Sequence, residues 1–167
     1  MTNIRRYFRE GNIYFLTHVT YNRAAVLVKN SDLFWQAVEK THRDTAFDLV
    51  AWVILPDHVH LLVDPKDNDL SLIMKRIKLS LSTNLRGQAG VVKGRLWQYR
   101  FWDHVIRDLE DMNRHIDYIH YNPVKHRLVT DPFEWEHSSI HGYRENGYYE
   151  PGWGVLETIE FIGEYGE

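Results

Sequence analysis

The sequence predicts an α+β fold of the ferredoxin-like class: a split βαββαβ pattern forming an antiparallel sheet, followed by an added helix and an irregular tail. Three observations predict this fold. Short runs rich in β-branched and aromatic residues alternate with stretches whose apolar residues recur at helical spacing. The second and third short runs are close enough in sequence to form a hairpin. The length of 167 residues fits one domain with its own core.

The first half of the chain is predicted to hold three strands and one helix. Residues 13–20 are rich in β-branched and aromatic side chains, which favour a strand. Apolar residues at helical spacing predict a helix over residues 31–45. Residues 47–55 and 58–63 predict two more strands, and the Pro56-Asp57 pair between them indicates a hairpin turn.

The second half begins with a predicted helix that Asp69 or Ser71 can cap. Its apolar stripe is expected to consist of Leu72, Ile73, Ile77, Leu81 and Leu85. The glycine-punctuated residues 87–94 predict a loop. Residues 96–106 predict a fourth strand with an aromatic lead-in.

The last predicted helix covers residues 108–121. Ile116 and Ile119 are expected to face inward. Pro123 is expected to stop the helix at Asn122, because proline disfavours the helical conformation in the residue before it.

Charged residues are distributed unevenly along the chain. Residues 131–167 contain nine acidic residues and one basic residue, and we predict that they form a tail packed on a domain of residues 1–130. The first 130 residues hold 19 basic and 14 acidic residues, and residues 71–107 hold eight basic residues against Asp103 alone. Such asymmetry indicates a surface that binds a polyanion, although basic residues can also simply solvate a helix and a loop.

Composition excludes several classes of protein. The sequence contains no cysteine, which excludes disulfides and thiolate metal sites. Met1 is followed by polar and basic residues, so no signal peptide is expected. No apolar run approaches the roughly 20 residues that span a bilayer. A cytoplasmic protein without membrane contact is therefore expected.

The first candidate for chemistry is the pair His58 and His60. Residues i and i+2 of a strand point to the same face, so both imidazoles are expected to project together while Val59 and Leu61 face the other way. Two adjacent neutral imidazoles can bind a metal ion. The same pattern also occurs on ordinary surface strands, so the pair alone does not identify a metal site.

The second candidate is Tyr118 with Asn122, which share a helical face because they are four residues apart. A phenol with a pKa near 10 becomes a useful nucleophile when a metal ion polarises its target phosphate, and an amide oxygen can be a third metal ligand. Tyr118 can equally be a half-buried aromatic residue, and Asn122 before Pro123 can cap a short helix. Tyr121 lies near the same face, so spacing does not choose between the two tyrosines.

Aromatic and basic residues alternate just before the predicted fourth strand. Trp97, Tyr99, Phe101 and Trp102 are interleaved with Arg95 and Arg100. This arrangement suits bases stacked on aromatic rings beside phosphates held by cations. The same aromatic residues can also be the core-facing start of a strand.

Four segments resemble the single-tyrosine transposases that carry an HUH box. Residues 52–62 (WVILPDHVHLL) resemble the HUH box itself, and residues 117–125 (DYIHYNPVK) resemble the tyrosine helix. Residues 6–17 and 96–104 also fit, in the family's order. The resemblance covers roughly residues 5–140 and points to the REP-associated tyrosine transposases, a branch related to the transposases of insertion sequences.

The resemblance implies a metal-dependent enzyme that cleaves and rejoins single-stranded DNA. His58 and His60 would bind Mg²⁺ or Mn²⁺ with Asn122 as third ligand, although related transposases can have glutamine there. Tyr118, the first tyrosine of its motif, would form a 5′-phosphotyrosine link. The family's substrates are repetitive extragenic palindromes (REPs) folded as single-stranded hairpins with a short unpaired foot.

The resemblance also suggests which residues hold the DNA. The candidates for the hairpin and its foot are Arg5, Arg6, Lys75, Arg76, Lys78, Arg95, Arg100, Trp97 and Trp102. The acidic tail is not part of the motifs, and we hypothesise that it competes with DNA for the site. A monomer or a homodimer is compatible with the family.

Two alternatives to a strand-transfer nuclease follow from the residues alone. A ferredoxin-like sheet with exposed aromatic residues also describes a non-catalytic module that binds single-stranded nucleic acid, which needs neither histidine. A zinc- or manganese-dependent hydrolase would use the histidine pair with water as nucleophile and would leave no covalent adduct on Tyr118.

Overall fold

The computed structural model describes residues 12–88, 94–156 and 158–167. The strands are β1 (Tyr14–Val19), β2 (Asp48–Ile54), β3 (His58–Asp64) and β4 (Trp102–Val105). The helices are α1 (Ser31–Asp44), α2 (Leu70–Gly87), α3 (Leu109–Lys125) and α4 (Ile140–Glu145). Single 3₁₀ turns lie at Tyr21–Arg23, Val28–Asn30 and Pro132–Glu134. Among the described residues, no helix is both long enough and apolar enough to cross a bilayer.

The four strands form one antiparallel sheet in the order β2-β3-β1-β4. This order and the βαββαβ sequence of elements confirm the predicted ferredoxin-like α+β fold. In the register, Thr17 of β1 lies between His60 of β3 and Trp102 of β4. The centre of the sheet therefore brings together the histidine pair, Thr17 and the edge strand.

The sheet has a hydrophobic layer on each face. On one face Leu61 of β3 packs with side chains of α1 and α2, including Phe34 and Ile77. On the other face the core is built from Phe15, Ala51, Val53, Leu62, Ile116 and Ile119, where the last two belong to α3 as predicted. Because successive side chains of a strand point to opposite faces, His58 and His60 share the α3 face with Leu62, while Val59 and Leu61 share the α1/α2 face.

Aspartate side chains cap the N-termini of α2 and α3, the helices that precede and follow β4 in the chain. The Asp69 carboxylate accepts hydrogen bonds from the backbone N–H groups of Ser71 (2.8 Å) and Leu72 (3.3 Å), so Asp69 rather than Ser71 caps α2. Asp108 caps α3 through the N–H of Asp111 at 2.8 Å. The predicted apolar stripe of α2 is wrong at Leu72, which is 43% exposed because it lies on the outer face of the helix with the exposed Arg76 and Leu79, while the next residue, Ile73, is buried.

The predicted fourth strand is too long. Only Trp102–Val105 pairs with β1 as a strand. Residues 96–101 approach the end of β1 through isolated contacts, including the N–H of Gln98 to the carbonyl of Val19 at 2.9 Å. Leu96 and Trp97 turn into the α1/α2 layer while Tyr99 is almost fully exposed. The aromatic residues that favoured a strand in the sequence therefore have two other places: Trp97 packs in the α1/α2 layer, and Tyr99 lies at the protein surface.

The prediction that Pro123 ends the helix is also wrong. Helix α3 continues to Lys125, and the N–H of His126 bonds to the carbonyl of Asn122 at 2.9 Å. Proline removes one donor, but the helix ends within a turn of it, so little further hydrogen bonding is lost. Asn122 and Pro123 are both buried on the α3 face, which keeps this last turn in place. Asn122 is thus a residue of α3 and not the cap of a new helix.

The residues after 131 pack on the α3 face and on the free edge of β2. Ser139 bonds to the backbone of Trp52 in β2, and the Trp135 indole donates to the carbonyl of Ile54 at 3.0 Å. His120 joins this segment to α3, because its ring contacts Ser139 Oγ at 2.8 Å and Tyr149 Oη at 2.6 Å. The tail therefore contains ordered turns and the short α4, and is less irregular than expected.

One polar contact of the tail opposes folding at neutral pH. Burial raises the pKa of Asp117 to about 6, although its carboxylate accepts a hydrogen bond from the Tyr149 hydroxyl at 3.0 Å. A carboxyl whose pKa is higher in the folded state is ionised less readily there than in the unfolded chain. Its effect on stability is therefore most favourable below pH 4 and becomes unfavourable as the pH rises toward 6.

We expect Asp117→Asn to stabilise the protein at pH 7.5 by about 1 kcal/mol, because the amide still accepts the Tyr149 bond without carrying a charge. Urea unfolding at pH 7.5 and pH 4 measures it, and the gain should nearly vanish at pH 4. An equal gain at both pH values would show that ionisation of Asp117 is not the cause.

Candidate active site

His58 and His60 lie side by side on β3 beneath α3. Their ring centroids are 5.0 Å apart, and both side chains are almost completely buried. The strand geometry produces this pairing, since residues i and i+2 project to one face. The histidines therefore meet α3 and the end of the chain rather than open solvent.

Hydrogen bonds on the far side of each ring determine where the imidazole protons lie. The Thr17 hydroxyl donates to the carbonyl of Tyr165 at 2.6 Å, so its oxygen accepts from His60 Nδ1 at 2.8 Å. His58 Nδ1 faces the Asp57 carboxylate at 2.7 Å, which can only accept. In the neutral form, both rings therefore carry their proton on Nδ1 and present a lone pair at Nε2.

Burial keeps the two rings neutral. It lowers the pKa of His60 to about 4, and it lowers the pKa of His58 despite the opposing effect of the Asp57 carboxylate. Nε2 of His58 is buried and has no hydrogen-bond partner among the described residues. A neutral, buried imidazole with a free Nε2 has the state that a metal ligand requires.

Asn122 and Tyr118 reach the same point from α3. The Tyr118 ring lies edge-on to the His60 ring, with centroids 5.3 Å apart. Asn122 is fully buried, and its amide oxygen has no hydrogen-bond partner in the part of the chain that the structure describes. The i, i+4 spacing places both side chains on one face of the helix, and α3 lies across the sheet so that this face meets the histidines.

The side chain at the centre of this group is Glu167, which the sequence did not indicate. Its Oε1 accepts a hydrogen bond from Asn122 Nδ2 at 2.9 Å and another from the Tyr118 hydroxyl. The same oxygen lies 3.0 Å from His60 Nε2 and 3.9 Å from His58 Nε2. Oε2 pairs with Lys125 and lies 3.3 Å from His126 Nε2. Burial raises the pKa of Glu167, but these hydrogen-bond donors outweigh burial and hold the pKa far below its ordinary value.

The contact between His60 and Glu167 has a chemical consequence. A neutral His60 whose proton is on Nδ1 has only a lone pair at Nε2, and a carboxylate oxygen is also an acceptor. Two acceptors 3.0 Å apart need a cation to bring them together, either a proton on the ring or a metal ion beside it. Nitrogen, amide oxygen and carboxylate oxygen all suit Mg²⁺, Mn²⁺ or Zn²⁺, so the residues present fit a divalent ion.

Tyr118 is the tyrosine that faces this centre. Lys125 lies about two helical turns further along the same face of α3, and its ammonium donates to the Tyr118 oxygen at 3.1 Å. Burial, followed by the hydrogen bond to Glu167 and the charge of that carboxylate, raises the pKa of the Tyr118 hydroxyl well above its ordinary value. Tyr121 instead packs on Trp153 and Phe161, away from the histidines. With Glu167 in place, Tyr118 is therefore a protonated phenol beside a cation that could stabilise its anion.

The last five residues cover the centre. The Tyr165 ring stacks on Tyr118 with centroids 3.7 Å apart and planes 11° from parallel. Gly166 has a φ of +75°, and a Cβ there would lie 2.0 Å from Cβ of Trp102. Glycine is therefore required for the chain to pass between Trp102 and the site.

A second group of possible metal ligands consists of His104, Asp111 and His115. It differs from the first group because its nitrogen atoms donate hydrogen bonds and do not offer lone pairs. His115 Nδ1 contacts the backbone carbonyl of Asp111 at 2.8 Å, and His104 Nε2 contacts Asp111 Oδ2 at 2.8 Å, so both nitrogens act as donors. Arg107 donates to the same carboxylate from its backbone and its side chain. The Asp111 carboxylate already accepts hydrogen bonds from these donors, and the two histidine nitrogens that face it carry protons rather than lone pairs. We therefore interpret this cluster as a structural contact between β4 and the start of α3.

The predicted DNA-binding residues that the structure describes are distributed over both faces and the edge of the sheet. Arg5 and Arg6 lie outside the described residues. Arg95 lies between the rings of Tyr21 and Tyr99, 4.2 and 4.5 Å from their centroids. Arg100 is exposed beside this stack.

The other predicted contacts divide between the two faces. Lys78 lies over Trp97 on the α2 face, Lys75 is exposed near it, and Arg76 turns away to donate to Thr45 at 2.7 Å. Trp97 is largely a core residue. Trp102 lines the α3 face with Tyr118 and residues 163–167. These residues therefore do not form one surface around Tyr118.

Several functional side chains were missed in the sequence. Lys125 follows Tyr118 by seven residues, so helical spacing could have placed both on one face. Asp57 is next to His58 and could have been recognised as its orienting partner. Thr17, Tyr165 and Glu167 are distant in sequence from the histidines, and no local pattern marks them.

Comparisons with known proteins agree with this geometry. Residues 10–122 match the family described as "Transposase IS200 like". A REP-associated tyrosine transposase of Escherichia coli K12 is 34% identical over 167 residues, covering 98% of both chains. A Haemophilus influenzae protein assigned to the same class is 35% identical over 175 residues, covering 98% of this chain and 99% of its own.

A solved structure extends the likeness to three dimensions. It is the structure of a REP-associated tyrosine transposase bound to a REP hairpin, and it is 32% identical, with a TM-score of 0.80. The match covers all of this chain and 98% of the other. The chain therefore belongs to the IS200-like transposases and, within them, to the HUH-type enzymes known as REP-associated tyrosine transposases.

Proposed function

We propose that this protein cleaves and rejoins single-stranded DNA beside REP-type hairpins, using Tyr118 as nucleophile and a divalent metal ion. One observation carries the proposal: the Tyr118 hydroxyl, Nε2 of His58 and His60, and the Asn122 amide converge on one point, where Oε1 of Glu167 now lies. A hairpin substrate is supported by the related transposase whose structure contains a REP hairpin.

His58 and His60 would hold Mg²⁺ or Mn²⁺ through Nε2, and Asn122 would hold it through its amide oxygen once the side-chain amide, whose Nδ2 now donates to Glu167, turns over. When bound, the ion would polarise the scissile phosphate and partly neutralise its charge. The hydrogen bonds that Thr17 and Asp57 accept from Nδ1 of the two rings keep the Nε2 lone pairs directed at this position.

The covalent step uses the phenol of Tyr118. Its oxygen attacks the phosphorus and gives up its proton, the bond from phosphorus to the 3′ oxygen breaks, and that oxygen takes up a proton to become a free 3′-hydroxyl. The 5′ end remains bound as a phosphotyrosine, so the reverse attack by a 3′-hydroxyl rejoins a strand without a nucleotide cofactor. Lys125 lies against the Tyr118 oxygen and would stabilise the developing phenolate. Because one chain supplies all these groups, we propose that a monomer is sufficient for cleavage.

DNA cannot reach Tyr118 while Glu167 bonds to it, so the end of the tail has to leave before cleavage. Glu167 and a DNA phosphate are both anions, and Lys125 and His126 would attract either one. We therefore propose that the tail competes with substrate for the site.

We expect Tyr118→Phe to abolish a covalent protein–DNA adduct, while Tyr121→Phe retains it, because only Tyr118 contacts the metal-binding side chains. The assay incubates the protein and Mn²⁺ with labelled single-stranded hairpins drawn from repeats near its gene, followed by denaturing gels. An adduct that persists in Tyr118→Phe would refute the assignment of the nucleophile.

The same assay separates the two alternatives. Cleavage without any adduct in the parent protein would indicate a metal-dependent hydrolase that uses water. Tight hairpin binding without cleavage or adduct would indicate a DNA-binding module.

We expect His60→Gln to abolish Mn²⁺ binding and Thr17→Val to weaken it by about 10- to 100-fold, because Thr17 orients the His60 ring without touching the ion. Calorimetric titration with Mn²⁺ measures both effects. Thr41→Val is a matched control, since Thr41 is buried but bonds only within α1, to Ala37. Equal Mn²⁺ affinity in Thr17→Val and the parent protein would contradict the role given to Thr17.

We expect Glu167→Gln to increase the initial rate of adduct formation several-fold, because the neutral side chain loses its ion pair with Lys125 and competes less well with DNA. Glu164→Gln removes a charge from the same exposed stretch and should have little effect. A lower rate in Glu167→Gln would contradict competition and would indicate that Glu167 serves the reaction itself.

A further inference from the structure

A cavity lies on the side of α3 that faces away from the sheet. Met112 and Ile116 of α3 belong to the core beneath the helix, and Asn113 and Asp117, four residues apart, line the cavity on the other side. Tail residues between 148 and 156 form the remaining wall. The cavity has a volume of about 660 Å³, within the range for small-ligand sites, and we refer to it as the Asp117 cleft.

The carboxylate of Asp117 has no positively charged partner among the described residues. Its hydrogen-bond partner is the neutral Tyr149 hydroxyl, which donates to it at 3.0 Å. Arg114, one turn earlier in α3, instead lies 3.7 Å from Asp111, and Arg144 lies over the Phe133 ring. Burial raises the pKa of Asp117 to about 6, which reflects the cost of this unpaired charge. Because proteins rarely bury a carboxylate without a counter-charge, a cationic ligand is indicated.

The walls of the Asp117 cleft are aromatic. The Tyr149 and Trp153 rings have centroids 4.1 Å apart and planes 31° from parallel, and Tyr148 stands nearly perpendicular to Tyr149 at 4.7 Å. Tyr148 and Trp153 are only partly buried, which leaves part of each ring available to a ligand. The faces of aromatic rings attract cations and pack well against aliphatic chains. Carboxylate and rings therefore favour the same class of ligand.

The surroundings of the cleft also select a cation. Asp117 and the exposed Glu150 line it, and no lysine or arginine in the described part of the chain does so. Residues 131–167, which form one wall, contain nine acidic residues and one basic residue. Such a field attracts cations and repels a polyanion such as DNA. The Asp117 cleft is therefore distinct from the surface that we assign to the hairpin.

The hydrogen bonds around Asp117 restrict the kind of cation. The proton of the Tyr149 hydroxyl is already donated to Asp117, and the Tyr149 oxygen faces His120 Nδ1 at 2.6 Å. A ligand that satisfies the carboxylate must therefore bring its own N–H donors. A primary ammonium group has three, whereas a quaternary ammonium group has none. Glu150 at the rim offers a second carboxylate to a second ammonium group.

From these observations we propose that the Asp117 cleft binds an aliphatic diamine or polyamine. One ammonium group pairs with Asp117, the methylene chain lies against Tyr148 and Trp153, and a further ammonium group faces Glu150. The site is formed partly by α3 and partly by the tail, so the bound cation would hold the two together. This binding needs neither DNA nor the metal ion, and it is independent of the proposed strand transfer.

The test is calorimetric titration of the full-length protein with 1,4-diaminobutane, in amine-free buffer with EDTA and without DNA. We expect saturable binding of one diamine per chain. 1-Aminobutane should bind roughly two- to fivefold more weakly, because it lacks the second charge for the exposed Glu150. Tetramethylammonium should not bind measurably, because it has no N–H donor for Asp117.

Asp117→Asn is the decisive variant, since we expect it to be more stable than the parent protein at pH 7.5 and yet to bind the diamine about tenfold more weakly or worse. Loss of binding therefore cannot result from unfolding. Trp153→Leu should weaken binding by about two- to tenfold. Glu136→Gln removes an exposed charge of the tail outside the cleft and should bind as the parent protein does. In thermal melting, the diamine should raise the Tm of the parent protein and not that of Asp117→Asn.

Each contrary outcome overturns the proposal. Equal diamine affinity in Asp117→Asn and the parent protein would show that the diamine binds elsewhere. Tetramethylammonium binding as tight as that of the diamine would refute the pairing of ammonium with Asp117. Absence of saturable binding by the parent protein would show that the aromatic cluster only packs the tail on α3. None of these results affects the adduct assay with Tyr118, so this proposal and the proposed function can fail separately.

Discussion

The chemistry of the site depends on two hydrogen bonds that point away from it. Thr17 accepts from Nδ1 of His60, and Asp57 accepts from Nδ1 of His58, so each neutral ring directs a lone pair from Nε2 toward α3. Burial prevents either ring from becoming charged near neutral pH. A pair of imidazoles becomes a metal-binding pair only when its protons are held elsewhere, and here β1 and the β2–β3 turn hold them.

The same electrostatics explain why a carboxylate fits among these groups. Lys125 supplies a positive charge, and Asn122 and Tyr118 supply donors. Glu167 supplies the anion that these groups bind, and Tyr165 and Gly166 fit the chain around Tyr118 and Trp102. The centre to which we assign a metal ion and a phosphate thus also accommodates the protein's own acidic side chain.

The two faces of the ferredoxin-like sheet differ in character. Its α3 face carries the histidine pair and Tyr118, to which we assign the covalent chemistry, and its α2 face carries aromatic rings and lysines around a cavity. The alternation of side chains along β1 connects them, since Thr17 belongs to one face and His18 to the other. The edge strand beside β1, which is β4, is only four residues long.

Local pattern determined much of this protein. Strand and helix periodicity predicted the βαββαβ order, paired His58 with His60 and placed Asn122 beside Tyr118, because these relations need only the geometry of one element. The end of α3, the short β4 and the choice between Tyr118 and Tyr121 depended on packing between elements. Thr17 and Glu167 are 43 and 107 residues from His60, and only tertiary structure brings them to its ring. Sequence spacing specifies which side chains share a face, but the proton positions and the anion at the centre depend on contacts made across the whole chain.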